Sequence, residues 1–381
     1  MSLRQMFAGS IVKPGFNPLA TQTTTTTYYP YLYTWGANGQ GQLALNNTTN
    51  YSSPKQVGSL SDWLKVANGY RFALSVKTDG TLWSWGYNNA GQLGIGNTTS
   101  YSSPKQIGAL TNWLNVAANN YASYALKTDG TMWSWGQNNY GQLGIGNTSN
   151  YSSPKQIGAL TTWASIGAGQ NSVLAIKTDG TLWAWGYNNM GQLGQNNTTS
   201  YSSPKQVGSL TNWSSVQVNL PTMAVKTDGT LWGWGRNSQG QLGLGTSGNY
   251  YSSPKQVGAL TTWATASPAF QSTMMIQTNG TLWGCGGNYY GQLGLGNTTY
   301  YSSPKQVGAL TTWSKVSSSY YSASAIKTDG TLWSWGYNAV GALGLNNTTY
   351  FSSPVQVGSA TTWLDIKLNL QSNNSAIALL Y

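Results

Sequence analysis

The side chains that carry most enzyme chemistry are scarce in this sequence. It has no histidine and no glutamate, and its carboxylates are seven aspartates: Asp62, Asp79, Asp129, Asp179, Asp228, Asp329 and Asp365. General acid–base catalysis and common metal sites draw on His, Glu and clustered Asp. Five of the seven recur in one short Lys-Thr-Asp-Gly-Thr motif, which predicts a turn role. Asp62 and Asp365 stand at related repeat positions about 300 residues apart in the sequence, where solvated loops are expected. We therefore predict no catalytic residue, no cofactor and no metal site, and a protein that is not an enzyme.

Two further features deserve comparison with reactive sites. Cys285 is the only cysteine and stands where other copies of the same motif have tryptophan, which predicts a buried, inert thiol and no internal disulfide. Loops of the form Gly-x-Asn-x-x-Gly are similar to phosphate-binding loops. They recur throughout the chain with no following helix and no P-loop lysine, so the phosphate interpretation is rejected.

The formal net charge is +11. Five lysines lie two residues before a turn aspartate, so we expect them to be partly balanced. Six others recur once per unit after Ser-Ser-Pro, a series that Val355 breaks: Lys55, Lys105, Lys155, Lys205, Lys255 and Lys305. Such a series is spread out rather than gathered into a groove, and specific base contacts favour arginine. This argues against nucleic acid. Diffuse attraction to anionic surfaces is favoured over it, and a solvated surface decoration without a partner is favoured over both.

The chain is built from a repeat of 50 residues. Tyr-Ser-Ser-Pro begins at Tyr51, Tyr101, Tyr151, Tyr201, Tyr251 and Tyr301, and Phe351 opens a seventh copy. Within a unit, residues 73–86 read ALSVKTDGTLWSWG, two alternating runs around Asp-Gly, which predicts a β-hairpin with a tight primed turn. Gln-Val-Gly with Leu-Thr-x-Trp predicts another short strand and turn. Several short strands per 50 residues are typical of a propeller blade.

The two ends of the repeat array are complementary halves. The first copy begins at the second arm of a hairpin, residues 31–36, and the last copy stops after the first arm, residues 375–381. Pairing these arms would complete a seventh hairpin and remove two exposed strand edges. The predicted fold is therefore all-β, a seven-bladed β-propeller over residues 29–381 closed by its N- and C-terminal strands, with an extended N-terminal arm and Thr-rich linker over residues 1–28.

The unit resembles the regulator-of-chromosome-condensation repeat. Its specific part is Trp-Gly-x-Asn-x-x-Gly-Gln-Leu-Gly, at residues 85–94 and 135–144, and the resemblance covers about residues 31–381. It implies a seven-bladed propeller that works through surface loops, in a family whose roles include nucleotide exchange on a small GTPase, UV-B sensing, ubiquitin ligation and β-lactamase inhibition. The sequence departs from the family pattern because no His follows Val66-Ala67-Asn68-Gly69. The acidic surface and the Arg-rich, Trp-lined interface known in two members have no counterpart here.

All 19 tryptophans follow the repeat. Because a buried indole removes a large apolar area from water, we predict that they form the core between blades. An alternative is that the tryptophans preceding glycine are exposed and bind carbohydrate.

The segments that differ most between copies predict a contact face. Rigidly held loops with aromatic and amide side chains are typical of recognition surfaces, although drift in unconstrained loops explains the variation as well. A second variable patch follows Trp-Gly and includes residues 289–290. The candidate contact residues are Tyr70, Arg71, Phe72, Tyr121, Gln170, Asn171, Phe270, Gln271, Tyr320, Tyr321 and Gln371.

The N-terminal segment matches no repeat. Its apolar residues, interrupted by Gly and Pro, predict a peptide that anchors the protein to another subunit, with a disordered tail as the alternative. The candidate anchoring residues are Leu3, Met6, Phe7, Ile11, Val12 and Phe16.

The leading functional hypothesis is a non-enzymatic structural protein of a virus particle, a phage fibre, tail or capsid-decoration component made in the host cytoplasm. Its partners would be other virion proteins through the arm, and a host-surface receptor or glycan through the loops. No apolar run reaches the length of a membrane span and no secretion signal is evident. The alternative is a soluble protein- or carbohydrate-binding propeller, extracellular or cytoplasmic.

Overall fold

A computed structural model describes residues 29–369 and 375–381. In this part of the chain the regular elements are 28 β-strands, arranged in seven antiparallel four-stranded sheets, and no helix is present. The predicted seven-bladed propeller is confirmed. The predicted division into an arm and a propeller stays a prediction, because residues 1–28 lie outside the described residues.

Each blade runs from an inner strand at the central channel to an outer strand at the rim. Blade I contains β3 (Trp63–Asn68), β4 (Phe72–Lys77), β5 (Leu82–Gly86) and β6 (Tyr101–Gln106). Blade II contains β7 (Trp113–Ala118), β8 (Ala122–Lys127), β9 (Met132–Gly136) and β10 (Tyr151–Gln156). Blade III contains β11 (Trp163–Gly169), β12 (Ser172–Lys177), β13 (Leu182–Gly186) and β14 (Tyr201–Gln206). Blade IV contains β15 (Trp213–Val218), β16 (Pro221–Lys226), β17 (Leu231–Asn237) and β18 (Asn249–Gln256).

The remaining blades follow the same order. Blade V contains β19 (Trp263–Pro268), β20 (Ser272–Gln277), β21 (Leu282–Gly286) and β22 (Tyr301–Gln306). Blade VI contains β23 (Trp313–Ser318), β24 (Ser322–Lys327), β25 (Leu332–Gly336) and β26 (Phe351–Gln356). Blade VII is made from both ends of the chain, β27 (Trp363–Leu368), β28 (Ser375–Leu380), β1 (Tyr31–Gly36) and β2 (Tyr51–Gln56).

The ring closes as the split hairpin predicted. Strand β1 pairs antiparallel with β28 over six residue pairs, from Tyr31 opposite Leu380 to Gly36 opposite Ser375. The side chain of Trp35 in blade VII donates to the carbonyl of Ala342 in blade VI at 2.9 Å. Both chain ends are thus held by a complete strand ladder and by the neighbouring blade.

The hairpin turn differs in type from the prediction. Lys77 donates its amide to the carbonyl of Thr81, so the loop has three residues, and of these only Gly80 has a positive φ, +79°. A primed turn needs two central residues with positive φ, whereas a three-residue loop closed by a left-handed glycine needs one. The outermost strand also differs, because it is the Tyr-Ser-Ser-Pro-Lys-Gln segment itself. Its proline is tolerated because an edge strand leaves some amides unpaired.

The hydrophobic core lies between blades, and 13 of the 19 tryptophans are buried in it as predicted. The other six are half-buried and pack against it: Trp83, Trp133, Trp183, Trp232, Trp283 and Trp333. One cluster joins Leu74, Val76 and Leu93 of blade I to Trp113 and Trp135 of blade II. Other clusters repeat this pattern around the ring, including one that joins blades VI and VII.

Candidate functional site

The propeller has two faces of different character. The turn face carries the three-residue turns between the second and third strands, such as residues 78–80. The loop face carries the inner loop between the first and second strands and the outer loop between the third and fourth, residues 69–71 and 87–100 in blade I. Both variable patches of the sequence lie in these loops. The strand order therefore gathers the variable segments on one face and leaves the near-identical segments to the scaffold.

Most of the predicted contact residues are half-buried on the loop face. These are Tyr70, Arg71, Tyr121, Gln170, Asn171, Phe270, Gln271, Tyr320 and Tyr321. Phe72 is a correction, because it begins strand β4 and its ring is fully buried in the core between blades I and II. Gln371 lies outside the described residues, as do the arm residues Leu3, Met6, Phe7, Ile11, Val12 and Phe16.

The structure brings seven aromatic rings and one arginine of blades IV–VI together, and we call this group the aromatic tract. Its members are Arg236, Phe270, Tyr289, Tyr290, Tyr320, Tyr321, Tyr337 and Tyr350. At one end the Arg236 guanidinium lies over the Phe270 ring at 4.0 Å. The Phe270 ring stacks on Tyr320 with 4.3 Å between centroids and 15° between planes.

The aromatic tract continues across the junction of blades V and VI. Tyr320 meets Tyr321 edge to face at 4.2 Å, and Tyr321 meets Tyr290 at 4.8 Å. Tyr290 then contacts Tyr337 at 5.0 Å and Tyr350 at 5.6 Å. Such edge-to-face pairs add stability beyond the buried area. Loops from adjacent blades therefore brace one another, and the rings form one continuous surface.

Exposure within the aromatic tract is graded. Tyr289 is 67% exposed and Tyr350 is 44% exposed, whereas Tyr321 is mostly covered by its neighbours. Burial raises the pKa of the Tyr321 hydroxyl well above its usual range, and a hydrogen bond with Tyr320 adds to this. Burial also raises the pKa of Tyr350. These phenols stay neutral at physiological pH, so the tract offers hydroxyl groups and ring faces to a partner.

Three members of the aromatic tract were missed by sequence reasoning. Tyr337 and Arg236 occupy the variable position after Trp-Gly, which was treated as part of the scaffold motif. Tyr350 precedes Phe351, where four other copies have Asn or Ser. In those copies the Asn or Ser side chain accepts the amide hydrogen of the buried loop asparagine, as Asn50 does from Asn38 at 2.8 Å. A tyrosine that replaces this capping residue is the signal that could have identified the site.

A smaller group of aromatic residues occupies the loop face of blades I and II. Tyr70 and Tyr121 meet edge to face at 5.4 Å, and the Arg71 guanidinium lies 4.9 Å from the Tyr70 ring centre. Arg71 has φ +63° and Gln170 has φ +40°, conformations that non-glycine residues rarely adopt. Two of the predicted contact residues thus sit on backbone that the surrounding turns hold in a left-handed conformation.

The turn aspartates have the structural role that the sequence predicted. In blade I, Asp79 Oδ1 accepts the amide hydrogen of Thr81 at 2.9 Å and the Thr81 hydroxyl at 2.7 Å. The Thr81 hydroxyl in turn accepts the indole N–H of Trp83 at 2.8 Å. Hydrogen bonds from the following threonine lower the pKa of Asp129, Asp179, Asp228 and Asp329. Burial pulls the pKa of Asp79 upwards, and the same bonds together with Lys77 outweigh it.

The lysines before these turns were expected to be balanced by the turn aspartates. In the structure they also contact aromatic rings. Each ammonium group lies over the rings of two tryptophans, and for Lys177 the distances are 3.7 Å to Trp183 and 5.3 Å to Trp163. Only Lys77 also forms an ion pair in the described residues, with Asp62 at 3.2 Å. In blade V, Gln277 and Asn279 replace the lysine and the aspartate together. Cation–π contact with two indoles is therefore common to all five of these lysines, in addition to the attraction of the turn aspartate.

The tryptophans preceding glycine are not a binding site. Trp35, Trp85 and Trp135 are fully buried, as are Trp185, Trp234 and Trp335. Each donates its indole N–H to a carbonyl of the preceding blade, as Trp135 does to Gln92 at 2.9 Å. The carbohydrate interpretation that required their exposure is therefore wrong. Cys285 takes the same place in blade V, where burial raises its pKa to about 12.

The two described arginines and the turn aspartates lie on opposite faces. Arg71 and Arg236 lie on the loop face, and the turn aspartates lie on the turn face. Residues 29–369 and 375–381 contain no group of three metal-ligating side chains. In the same ranges no helix is long and apolar enough to cross a bilayer.

Comparison with known proteins agrees with this architecture. The profile described as Regulator of chromosome condensation (RCC1) repeat matches residues 31–76, 79–126, 129–176, 179–219, 228–268, 279–326 and 329–367. A second profile of the same description matches residues 63–92, 113–142 and 163–192. No curated protein sequence matches the chain.

Three solved structures have the same fold. Human WBSCR16 has a TM-score of 0.81 at 20% identity, covering 92% of this chain and 99% of its own. Prp20p from Saccharomyces cerevisiae has a TM-score of 0.81 at 18% identity, covering 93% of this chain and 92% of its own. Yeast RCC1 (Prp20), solved with Kap60, has a TM-score of 0.82 at 17% identity, covering 98% and 95%. At these identities the likeness shows the fold alone.

Proposed function

The chain belongs to the regulator of chromosome condensation (RCC1) repeat family, and we propose that it is a non-enzymatic binding propeller that holds a partner protein against the aromatic tract. The carrying observation is the tract itself, seven aromatic rings and Arg236 joined across three blades on the loop face. Tyrosine supplies large contact area at a low cost in side-chain entropy, which is why it is enriched in binding surfaces.

The asymmetry of the ring supports this proposal. Seven near-identical blades share one scaffold, yet the tract lies on blades IV–VI only. In blades IV, V and VI, Tyr250, Tyr300 and Tyr350 stand where the other four blades use Asn or Ser to cap the buried loop asparagine. A change that replaces a capping side chain by an exposed ring is better explained by recognition than by folding.

Relatives of the same fold give further support. The structures of the yeast protein are described with its binding to Gsp1p and histones and with its complex with Kap60. Those partners belong to that protein. For the present chain the likeness supports only the general role of a ring that binds proteins through its surface.

The experiment compares two tyrosine variants of matched chemistry. Tyr289→Ala combined with Tyr350→Ala removes the two most exposed rings of the tract without disturbing the core. Tyr140→Ala combined with Tyr187→Ala removes a ring pair of blades II and III, also on the loop face and 4.6 Å apart. Immobilised protein is exposed to an extract of its source, and captured proteins are quantified by mass spectrometry. We expect the first variant to reduce capture of the partner about tenfold or more, since central aromatic anchors dominate binding energy. Equal capture by both variants would contradict the proposal.

We further propose that the protein is a component of a virus particle, held there by residues 1–28. The near-verbatim repeats, the scarcity of charged side chains and an apolar segment that precedes the repeats support this assignment. The particle hypothesis predicts that purified virions contain the chain in fixed stoichiometry, and that protein lacking residues 1–28 is not incorporated. Normal incorporation of the truncated chain would remove the anchoring role.

A further inference from the structure

The central channel is the second asymmetric region of the molecule. The inner strands of all seven blades line a cavity of about 470 Å³. On blades II–V the lining strands carry no charged residue, and the polar side chains there are amides and hydroxyls such as Asn115, Gln217 and Thr265. Among residues 29–369 and 375–381, the charged groups that line the channel stand on three consecutive blades, VI, VII and I: Lys315, Asp365, Lys367 and Lys65.

This wall is positive. It carries three ammonium groups and one carboxylate. Lys367 pairs with Asp365 at 3.6 Å, so the carboxylate is already engaged by one of the three cations. The ammonium of Lys315 donates to the carbonyl of Leu364, which places it at the boundary of blades VI and VII. Lys65 projects from blade I and is exposed to the channel solvent.

The wall is also fixed in position by bonds between its blades. The amide of Leu368 in blade VII donates to Ser317 Oγ in blade VI at 2.9 Å. The side-chain amide of Asn369 donates to the carbonyl of Gly69 in blade I at 2.7 Å. A site built on such strands is more rigid than one built on loops. The distances between the Cα atoms of the three lysines are therefore constant.

We infer that this wall of the channel binds a small multivalent phosphate compound. A concave space lined by one sign of charge concentrates the field and raises the local concentration of counter-ions. Compact ammonium groups bind phosphate oxygens as point charges, and the facing Asn, Gln and Thr side chains supply further hydrogen bonds. The volume lies within the range of about 300–1,000 Å³ typical of small-molecule sites, so a polyphosphate or a nucleotide fits equally.

The test uses isothermal titration calorimetry with sodium tripolyphosphate and with ATP, at constant ionic strength in chloride buffer. We expect one binding site per chain. Lys65→Gln and Lys315→Gln should each weaken binding about tenfold, because each removes a charge-assisted hydrogen bond. The control is Lys105→Gln, which removes the same charge from the outer rim, where Lys105 packs on Tyr101. Tighter binding of tripolyphosphate than of ATP would identify the phosphate chain alone as the ligand, and the reverse order would identify a nucleotide.

A gain of affinity separates this inference from damage to the fold. Asp365→Asn removes the one carboxylate of the wall and frees Lys367, so we expect it to tighten binding several-fold. Several ions per chain, an equal effect of Lys105→Gln, or no tightening by Asp365→Asn would each overturn the inference. None of these variants touches the aromatic tract, so the result is independent of partner binding at the loop face.

Discussion

At the scale of single residues, one carboxylate in each of five turns anchors a chain of three hydrogen bonds. Asp129 Oδ1 accepts the amide and the hydroxyl of Thr131, and that hydroxyl accepts the indole N–H of Trp133. Blade V shows what the charge adds, because Asn279 forms the same two bonds to Thr281 with a neutral oxygen, at 3.1 and 2.8 Å. The turn therefore requires an oxygen acceptor at this position, and the negative charge of aspartate only strengthens the hydrogen bonds to it.

The first prediction concerns acid. The folded-state pKa of each turn aspartate lies below its usual value of 3.8. Folding thus favours the ionised form, which contributes stability above about pH 4, lost as the pH falls through the folded-state pKa. Changing all five aspartates to asparagine, the residue that blade V uses, should flatten the decline of the free energy of unfolding between about pH 6 and pH 3. Urea denaturation across this range measures it, and an unchanged slope would contradict the assignment.

The role of a residue could be predicted from the sequence where its type alone accounts for its place in the repeat. The turn role of the aspartates and the burial of Cys285 follow from their places in the repeat. Phe72 was misassigned because the boundary between loop and strand falls between Arg71 and Phe72, and one residue of shift turns a side chain from surface to core. The pairing of each lysine with two indoles could not be read, since the two tryptophans come from different strands of the blade.

At the scale of elements, the conserved-looking motif of each unit is a contact to the next blade. Trp135 of blade II donates to the carbonyl of Gln92 in the outer loop of blade I, and Gly94 of the same loop lies on the Trp135 ring. A Cβ at Gly94 would stand 2.5 Å from Trp135 Nε1, and Gly94 has φ +71°. Glycine is required at position 94 for both reasons. The Gln-Leu-Gly segment therefore forms the surface on which the tryptophan of the next blade packs.

The second prediction tests this junction with a pair of glycines. Gly94→Ala and Gly108→Ala both place a side chain on left-handed backbone, and Gly108 has nothing within 4 Å of the added atom. Both substitutions carry the cost of placing alanine on left-handed backbone, and only Gly94→Ala also displaces the indole of Trp135. We expect Gly94→Ala to lower the free energy of unfolding by about 1–3 kcal/mol more than Gly108→Ala, the usual cost of overpacking. Urea titration followed by tryptophan fluorescence measures both, and equal losses would contradict the role of the junction.

Element-scale prediction from the sequence succeeded for the repeated hairpin and was incomplete for the site. Identical units reveal strands and turns because each is seen seven times. The aromatic tract depends on which loops meet across a blade junction, as Tyr290 of blade V meets Tyr321 of blade VI. Contacts between residues of different units are set by the curvature of the ring, which no single unit encodes.

At the scale of the whole molecule, closure is the property that both chain ends serve. The six-residue ladder between β1 and β28 supplies the middle of blade VII. Without it, β1 and β28 would each present an unpaired edge at a ring opening, and the tryptophan contact from Trp35 to blade VI would be lost. Exposed edges of this kind lead to association with other chains.

The third prediction follows from this closure. A chain ending at residue 374 should lose cooperative unfolding and aggregate, because it lacks β28 and cannot seal the ring. A circular permutant that joins residue 381 to residue 29 by a short flexible linker, with new termini in the loop at residues 246–248, keeps all 28 strands. We expect it to fold with the same far-UV circular dichroism spectrum as the parent and to unfold at the same or a higher urea concentration. A monomeric, cooperative truncated chain would show that the terminal ladder is dispensable.

The sameness of the junctions has a consequence for how such a protein changes over generations. Since six of the seven outer loops accept the indole N–H of the next blade's tryptophan in the same way, a 50-residue unit can occupy different positions in the ring. Unequal exchange between copies of the coding sequence can then delete or duplicate a whole blade without creating a mismatched neighbour. Selection against the wrong number of blades must come from ring closure, because only a ring whose last strand pairs with its first remains monomeric in solution.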